Sequence, residues 1–211
     1  AQPMRFPEAG LAVVFNGEIY NYLELNQELA ALGLRARTRS DTETILLAYA
    51  AWGEDCLDRL NGMFAFVIHD ARRRRLFGAR DRMGKKPLYY VHSGPFFAFS
   101  SEPKALLRHP AVERALDLQA ATRYLLFEYV PSPYAIYRGM RKLEAARAFS
   151  FSLDTGALAI REYWRPPLDA APTPEGREPE EYWIERIRAE LESAVRRRLI
   201  SDVPLGVFLS G

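Results

Sequence analysis

The stretch Phe15-Asn16-Gly17-Glu18-Ile19-Tyr20-Asn21-Tyr22 stands where the first clear apolar run gives way to a helical pattern. That run, Leu11-Ala12-Val13-Val14-Phe15, is bounded by Gly10 and Asn16 and predicts a buried strand. Beyond the stretch, Tyr22, Leu25, Leu29 and Leu32 recur at spacings of three and four, which predicts a helix over 21–32 stopped by Gly33. An Asn-Gly pair can take positive φ and turn sharply. Such a turn either only redirects the chain, or it gathers a side-chain amide, a backbone N–H and a carboxylate at a strand end. The second arrangement could hold a polar small molecule and stabilise a developing negative oxygen. The local pattern leaves both readings open.

Working outward, Ser40-Asp41-Thr42-Glu43 predicts a helix start, with Ser40 as cap and Glu43 reaching back to its amide. Ile45, Tyr49 and Trp52 continue that helix to Gly53, and a shorter helical turn follows over 54–60. Residues 35–38 form a short extended candidate, and Ala1 to Pro7 reads as neither a signal nor a stable element. From Met63 the period changes. Residues 63–69, 75–79, 88–92 and 96–100 are rich in β-branched and aromatic side chains, which predicts an antiparallel meander. Helices are expected over 102–108 and 118–127, then a Pro-rich bend at 130–134. A hairpin is expected from 149–153 and 158–163 around Asp154-Thr155-Gly156.

The bulk numbers narrow the class. The chain has 211 residues, 48% hydrophobic and 27% charged, as an ordinary globular protein has. A net charge of +2 gives no electrostatic case for nucleic acid or an anionic membrane. No apolar run approaches the roughly 20 residues of a membrane helix, and no signal-peptide pattern opens the chain. Cys56 is the single cysteine, so no internal disulfide framework exists, and a reducing, cytoplasmic setting is the default. His69, His92 and His109 are scattered singly, without metal-ligand spacing.

Composition shifts at Arg165. Residues 165–179 hold five of the fourteen prolines and no apolar periodicity, which reads as a linker. Ile184, Ile187, Leu191, Val195 and Leu199 then mark a long amphipathic helix, acidic at its start and basic at its end, and 203–209 reads as a near-continuous apolar strand. One helix and one strand cannot close a domain, because the strand has no partners for its backbone groups. A piece of a longer protein, cut at both ends, is therefore expected.

With these motifs assembled, the chain resembles the glutamine-dependent asparagine synthetase family. Gln2-Pro3-Met4 is similar to the segment leading to the family's glutamine-site strand, and Asn16-Gly17-Glu18-Ile19-Tyr20-Asn21 matches its hallmark motif. Ser40-Asp41-Thr42-Glu43, Leu60-Asn61-Gly62-Met63-Phe64-Ala65-Phe66 and the run from Arg80 to Tyr90 also match. So do Ser101-Glu102-Pro103-Lys104-Ala105-Leu106 and Tyr163-Trp164, while Ser201 to Gly211 resembles the approach to the family's pyrophosphatase loop. Each motif alone is weak, but eight in register make coincidence remote.

The resemblance implies an α+β fold. Residues 1–165 would be an N-terminal-nucleophile glutaminase sandwich, antiparallel sheets between helical layers, lacking its N-terminal part. Residues 166–179 would be a linker, and 180–211 the first helix and strand of an α/β parallel-sheet ATP-binding domain. It implies hydrolysis of glutamine by a thiol on the first residue, whose α-amine acts as base. The ammonia released would amidate a carboxylate that ATP has activated as an acyl adenylate, aspartate giving asparagine through β-aspartyl-AMP. It implies further that the Asn16 side chain and the Gly17 N–H form the oxyanion hole, and that Glu18 and Asp41 hold glutamine's α-ammonium. For Asp41 the competing account is a favourable acid in a first helical turn. Leu209, Ser210 and Gly211 would open the site for Mg-bound ATP. The implied partners are glutamine, ATP and the carboxylate acceptor; no resident metal, nucleic acid or membrane is implied, and a homodimer is compatible.

Two departures stand against the family pattern. The chain begins with Ala1, so the nucleophilic Cys and the Arg for glutamine's carboxylate are expected upstream, and this chain alone is not expected to hydrolyse glutamine. Lys142-Leu143-Glu144-Ala145-Ala146-Arg147 lacks the Pro-Pro-Gly-His-like turn that usually follows Lys-Leu, which suggests a divergent member whose acceptor is another carboxylate. A catalytically dead docking module is the third reading. Cys56, inside a short helical segment with no nearby histidine, reads as a buried thiol. The basic runs at 70–75 and 80–86 read as turns, the second as a candidate for an interface between domains.

Overall fold

The computed structural model describes residues 2–168, 179–200, 204 and 206–209, and the chain divides into two compact units, Ala1–Arg165 and Pro166–Gly211. In the first unit the chain forms β1 (Met4–Phe6), β2 (Leu11–Ile19), α1 (Tyr22–Ala31), α2 (Asp41–Trp52) and α3 (Cys56–Arg59). It continues through β3 (Gly62–Asp70), β4 (Arg75–Arg80), β5 (Tyr89–Ser93), β6 (Phe96–Ser100), α4 (Pro103–Leu106) and α5 (Leu118–Phe127). The unit closes with β7 (Met140–Lys142), β8 (Arg147–Ser152) and β9 (Leu158–Glu162). Six strands make one antiparallel sheet in the order β1-β2-β3-β4-β8-β9, and three make a second in the order β6-β5-β7.

The period of two along each strand sets the layers. On one face of the large sheet, Leu11, Val13, Ile19, Phe64, Phe66, Ile68 and Phe77 pack against Leu25 and Leu29 of α1 and Ile45, Leu46 and Tyr49 of α2. The intervening residues, Val14, Ala65 and Val67, face the second sheet, where they meet Leu88, Tyr90, Phe97 and Phe99. The outer side of the second sheet buries Val91 and Met140 against Leu106 of α4 with Val112 and Ala135. Helices, sheet, sheet and helix therefore stack as an α+β sandwich. Each fully buried Phe or Ile at these faces contributes roughly 1.5–3 kcal/mol relative to exposure.

Three expectations change. First, Asn16-Gly17 does not turn the chain: β2 runs through both residues, with Asn16 opposite Ala65 and Gly17 opposite Phe64. The glycine serves close approach instead. A Cβ on Gly17, at φ +147°, would lie 2.1 Å from the Met63 carbonyl oxygen, and one on Gly62 would lie 2.2 Å from that of Glu18. Second, the strands from Met63 do not form one meander, since β4 pairs with β8 and β5 belongs to the other sheet. The crossing is built by Arg80 and Asp81. Arg80 donates to the carbonyls of Gly84, Lys86 and Leu143, each at 2.6 Å. Asp81, 1% exposed, accepts the N–H groups of Phe64, Met83, Lys85 and Lys86. The second basic run is thus fixed inside its own unit at its first residue.

Third, several elements move. Ser40 does cap α2 through Thr42 N–H, but Glu43 accepts from Arg37 N–H and Thr38 N–H rather than from Ser40. The chain bends at 37–39, and 35–38 forms no strand. Residues 4–6 do form a strand, β1, on the edge of β2, and α4 is shorter than its pattern. The hairpin forms as β8–β9, with Phe151 opposite Leu158.

In the second unit, α6 spans Glu180–Arg197 and carries the Ile184, Ile187, Leu191 and Val195 stripe. Pro204 and 206–209 form no strand, because no described residue of this unit offers a ladder partner. Most of the expected linker, 169–178, lies outside the described residues.

Candidate functional site

The site is built along one edge of β2. In an antiparallel ladder successive residues turn their N–H and C=O groups to opposite neighbours. Tyr20 N–H donates to Asn61 O at 2.8 Å, so the even-numbered residues of β2 bond to β3. The odd-numbered ones face the other way. Met4 of β1 stands opposite Val13. At the next such position the side-chain amide of Gln2 takes over, donating to Phe15 O and accepting Phe15 N–H, both at 2.8 Å. Ile19 N–H donates to Asp41 Oδ2 at 2.9 Å. Between them Gly17 N–H points out of the sheet, and among the described residues no acceptor meets it. Its opposite number, Phe64, confirms the sense, because both backbone groups of Phe64 bond to Asp81.

Asn16 and Glu18 leave the strand on the face turned to the second sheet. The Asn16 amide donates to the Ser101 hydroxyl at 3.2 Å. It lines a cavity of about 310 Å³ with Gln2, Val14, Ala65, Phe99 and Ser101. Glu18 is half-buried, and among the described residues its carboxylate has neither a hydrogen-bond nor an ion-pair partner. Asp41 is the first residue of α2. Burial pushes its carboxyl above the ordinary Asp range, and the N–H groups of Ile19 and Thr42 act against that rise. It is a half-buried carboxylate with no counter-cation among the described residues, one strand rung from the Gly17 N–H.

The structure thus brings four of the expected site residues, Asn16, Gly17, Glu18 and Asp41, to one strand edge. Leu209 belongs to the other unit, and Ser210 and Gly211 lie outside the described residues. Two contributors carry no role in the sequence reading. Gln2 closes the rung beside Gly17, and Ser101 holds Asn16. The available signal for Ser101 was its place at the head of the Ser101-Glu102-Pro103-Lys104 motif, in the polar run that follows the aromatic residues of β6. Cys56 is fully buried in α3, and burial pushes its thiol up to about 12, so it is no nucleophile at neutral pH. Among the described residues no cluster of His, Cys, Asp or Glu could hold a metal.

Residues 186–211 match the asparagine synthase family model. Asparagine synthetase (glutamine-hydrolyzing) 3 of Bacillus subtilis is 38% identical over 215 residues, covering 100% of this chain and 34% of that protein. Asparagine synthetase (glutamine-hydrolyzing) 1 of the same organism is 35% identical over 211 residues, covering 100% and 32%. The chain therefore spans about a third of the length of these relatives. Among solved structures, the B. subtilis glutamine phosphoribosylpyrophosphate amidotransferase superposes with a TM-score of 0.52 at 21% identity, covering 78% of this chain and 32% of that one. That likeness extends to the sandwich fold. Residues 1–164 match the family model described as a glutamine amidotransferase domain, and to that family the chain belongs.

Proposed function

We propose that the whole protein releases ammonia from the side-chain amide of glutamine at the β2 edge. The observation that carries this reading is the Gly17 N–H, free of any described acceptor and flanked by the Asn16 amide and the Asp41 carboxylate. Attack on an amide carbonyl places negative charge on its oxygen, and two fixed donors beside it lower the barrier. One such donor is worth about 3–4 kcal/mol. Gly17 N–H and Asn16 Nδ2 are those donors. Asp41 and Glu18 are acceptors for the α-ammonium of the same molecule, a charge-assisted pairing.

The spacing supports an amino acid of glutamine's length. Two residues of strand separate Gly17 N–H from Ile19 N–H, about 7 Å, and Asp41 sits at the second. Four bonds separate glutamine's α-nitrogen from its amide carbon, about 5 Å when extended. A hydrogen bond at each end makes up the difference. The family resemblance implies a nucleophilic Cys on the first residue of the whole protein, and the buried Cys56 does not take that part.

The match of 186–211 to asparagine synthase supports the finer reading. In it the ammonia is spent on ATP-dependent amidation of aspartate, with Leu209, Ser210 and Gly211 opening the nucleotide site and domains divided at 1–165, 166–179 and 180–211. The test is to incubate the full-length protein with glutamine, Mg-ATP and aspartate. Glutamate, AMP and asparagine in equal amounts are expected. Glutamate without asparagine would move the acceptor to another carboxylate, and no glutamate at all would leave a docking module.

A further inference from the structure

The Asn16 amide is a flexible donor in apolar surroundings, and its orientation needs a cause. The cavity around it is lined by the apolar side chains of Val14, Ala65, Phe66, Val67, Leu88 and Phe99, with Gln2, Ser100 and Ser101 as its polar members. The Gln2 amide is engaged with both backbone groups of Phe15, and Ser100 Oγ accepts the N–H of Glu102. Rotation about the last side-chain bond of an asparagine is broad and roughly two-fold, so packing alone does not choose between its nitrogen and its oxygen. Among the described residues the one partner of the Asn16 side chain is Ser101 Oγ, at 3.2 Å and 85 positions along the chain.

Ser101 is itself held in place. It follows β6 directly, Ser100 Oγ accepts the N–H of Glu102, and Glu102 O accepts the N–H of Ala105 in the first turn of α4. Its hydroxyl therefore reaches from the second sheet to a strand of the first, across the mouth of the cavity. Accepting one N–H of the amide fixes the amide plane and leaves the second N–H of the same nitrogen free.

We propose that Ser101 is a positioning residue for amide hydrolysis: its hydroxyl holds the Asn16 amide nitrogen toward the reacting carbonyl, so that Asn16 offers a donor rather than an acceptor to the oxyanion. This rests on the glutamine reading above, in which Asn16 touches the reacting atoms and Ser101 acts through it.

The test is a double-mutant cycle in the full-length protein, read as glutamate release. Ser101→Ala is expected to lower kcat about tenfold, the loss of one oriented hydrogen bond. KM for glutamine should stay unchanged, because the α-ammonium acceptors are untouched. Ser101→Thr, which keeps the hydroxyl, should recover most of the rate. In an Asn16→Ala background Ser101→Ala should have no further effect. Synthesis driven by added ammonia should be the same in the parent, Ser101→Ala and Ser101→Thr. Equal effects of Ser101→Ala with and without Asn16 would mean a general packing role, and an unchanged or faster kcat would mean that Ser101 does not orient the donor; either overturns the proposal. If the parent releases no glutamate, the glutamine reading itself has failed and this one falls with it, whereas an active parent with an indifferent Ser101→Ala removes Ser101 alone.

Discussion

Asp41 Oδ2 and the Ile19 N–H, joined at 2.9 Å, fasten the first turn of α2 to the edge of β2 two residues from Gly17. One carboxylate oxygen thereby satisfies a strand end, and no side-chain cation approaches it among the described residues. A half-buried carboxylate in that position is held above its ordinary range by burial, with backbone N–H groups pulling the other way. The arrival of a ligand ammonium would relieve it, so Asp41 combines an anchoring role with an unfilled electrostatic one.

Glutamine binding should therefore weaken as pH falls through a value above the ordinary Asp range. The sign follows from the ionised form being the acceptor: protonation removes the charge, and the raised carboxyl protonates earlier on the way down. Asp41→Asn keeps an acceptor for Ile19 N–H and loses the charge. KM for glutamine should rise about tenfold or more, the worth of a charge-assisted hydrogen bond. Profiles of kcat/KM against pH check both points, and a variant that keeps the acid limb of the parent would exclude Asp41 from binding.

Asn16→Ala should cut glutamate release at least about 100-fold, the effect of removing one oxyanion donor. The fold should survive, because among the described residues the amide makes only the Ser101 bond. Thermal unfolding by circular dichroism, measured beside turnover, separates the two. Unchanged turnover would remove Asn16 from the mechanism.

Gly17→Ala is expected to fail differently. Its Cβ would meet the Met63 carbonyl oxygen at 2.1 Å, and φ of +147° is unfavourable for any L side chain. The strands must part, at a cost of about 2–4 kcal/mol. Urea unfolding midpoints should fall accordingly, with Gly62→Ala behaving alike from the other strand. A Gly17→Ala protein of parental stability would contradict the close approach.

Ala146 gives a prediction of opposite sign. It takes φ of +56° without being glycine, in the segment where the family usually has Pro-Pro-Gly-His. Both of its backbone groups are engaged, N–H to Asp81 O and C=O to Tyr163 N–H, each at 3.0 Å. This turn is made with a left-handed alanine. Ala146→Gly should stabilise the protein by about 1 kcal/mol, the penalty of that conformation less one buried methyl group. Chemical denaturation measures it, and destabilisation would show that the methyl's packing outweighs the strain.

Much of the first unit was legible because its elements carry a clear period. The helices over Tyr22–Ala31, Asp41–Trp52 and Leu118–Phe127 and the β8–β9 hairpin follow apolar spacing and turn residues that act over a few positions. What escaped the sequence depends on long-range pairing. The three residues of β1 are too few for a pattern, and their strand character comes from β2 beside them. The change of sheets after β4 is set by Arg80 and Asp81 gathering backbone groups from as far away as Leu143, which no local window shows. Asn16-Gly17 was misread as a turn because the same small residue that permits positive φ also permits two backbones to touch. The site residues nonetheless stood out as a motif, since that close approach and the polar groups around it need particular residues. Ser101 stood in a motif too, but its link to Asn16 did not show, because that hydroxyl meets its partner 85 positions away.

An open sheet edge invites another molecule's strand, and β2 shows how such an edge can stay open without that hazard. Docking a foreign strand needs several successive rungs, whereas Gln2 and Asp41 close the positions on either side of Gly17. One rung admits a single oxygen atom and little else. The same fastenings that flank the Gly17 N–H therefore guard this edge against self-association, so loosening either one should raise the tendency to aggregate.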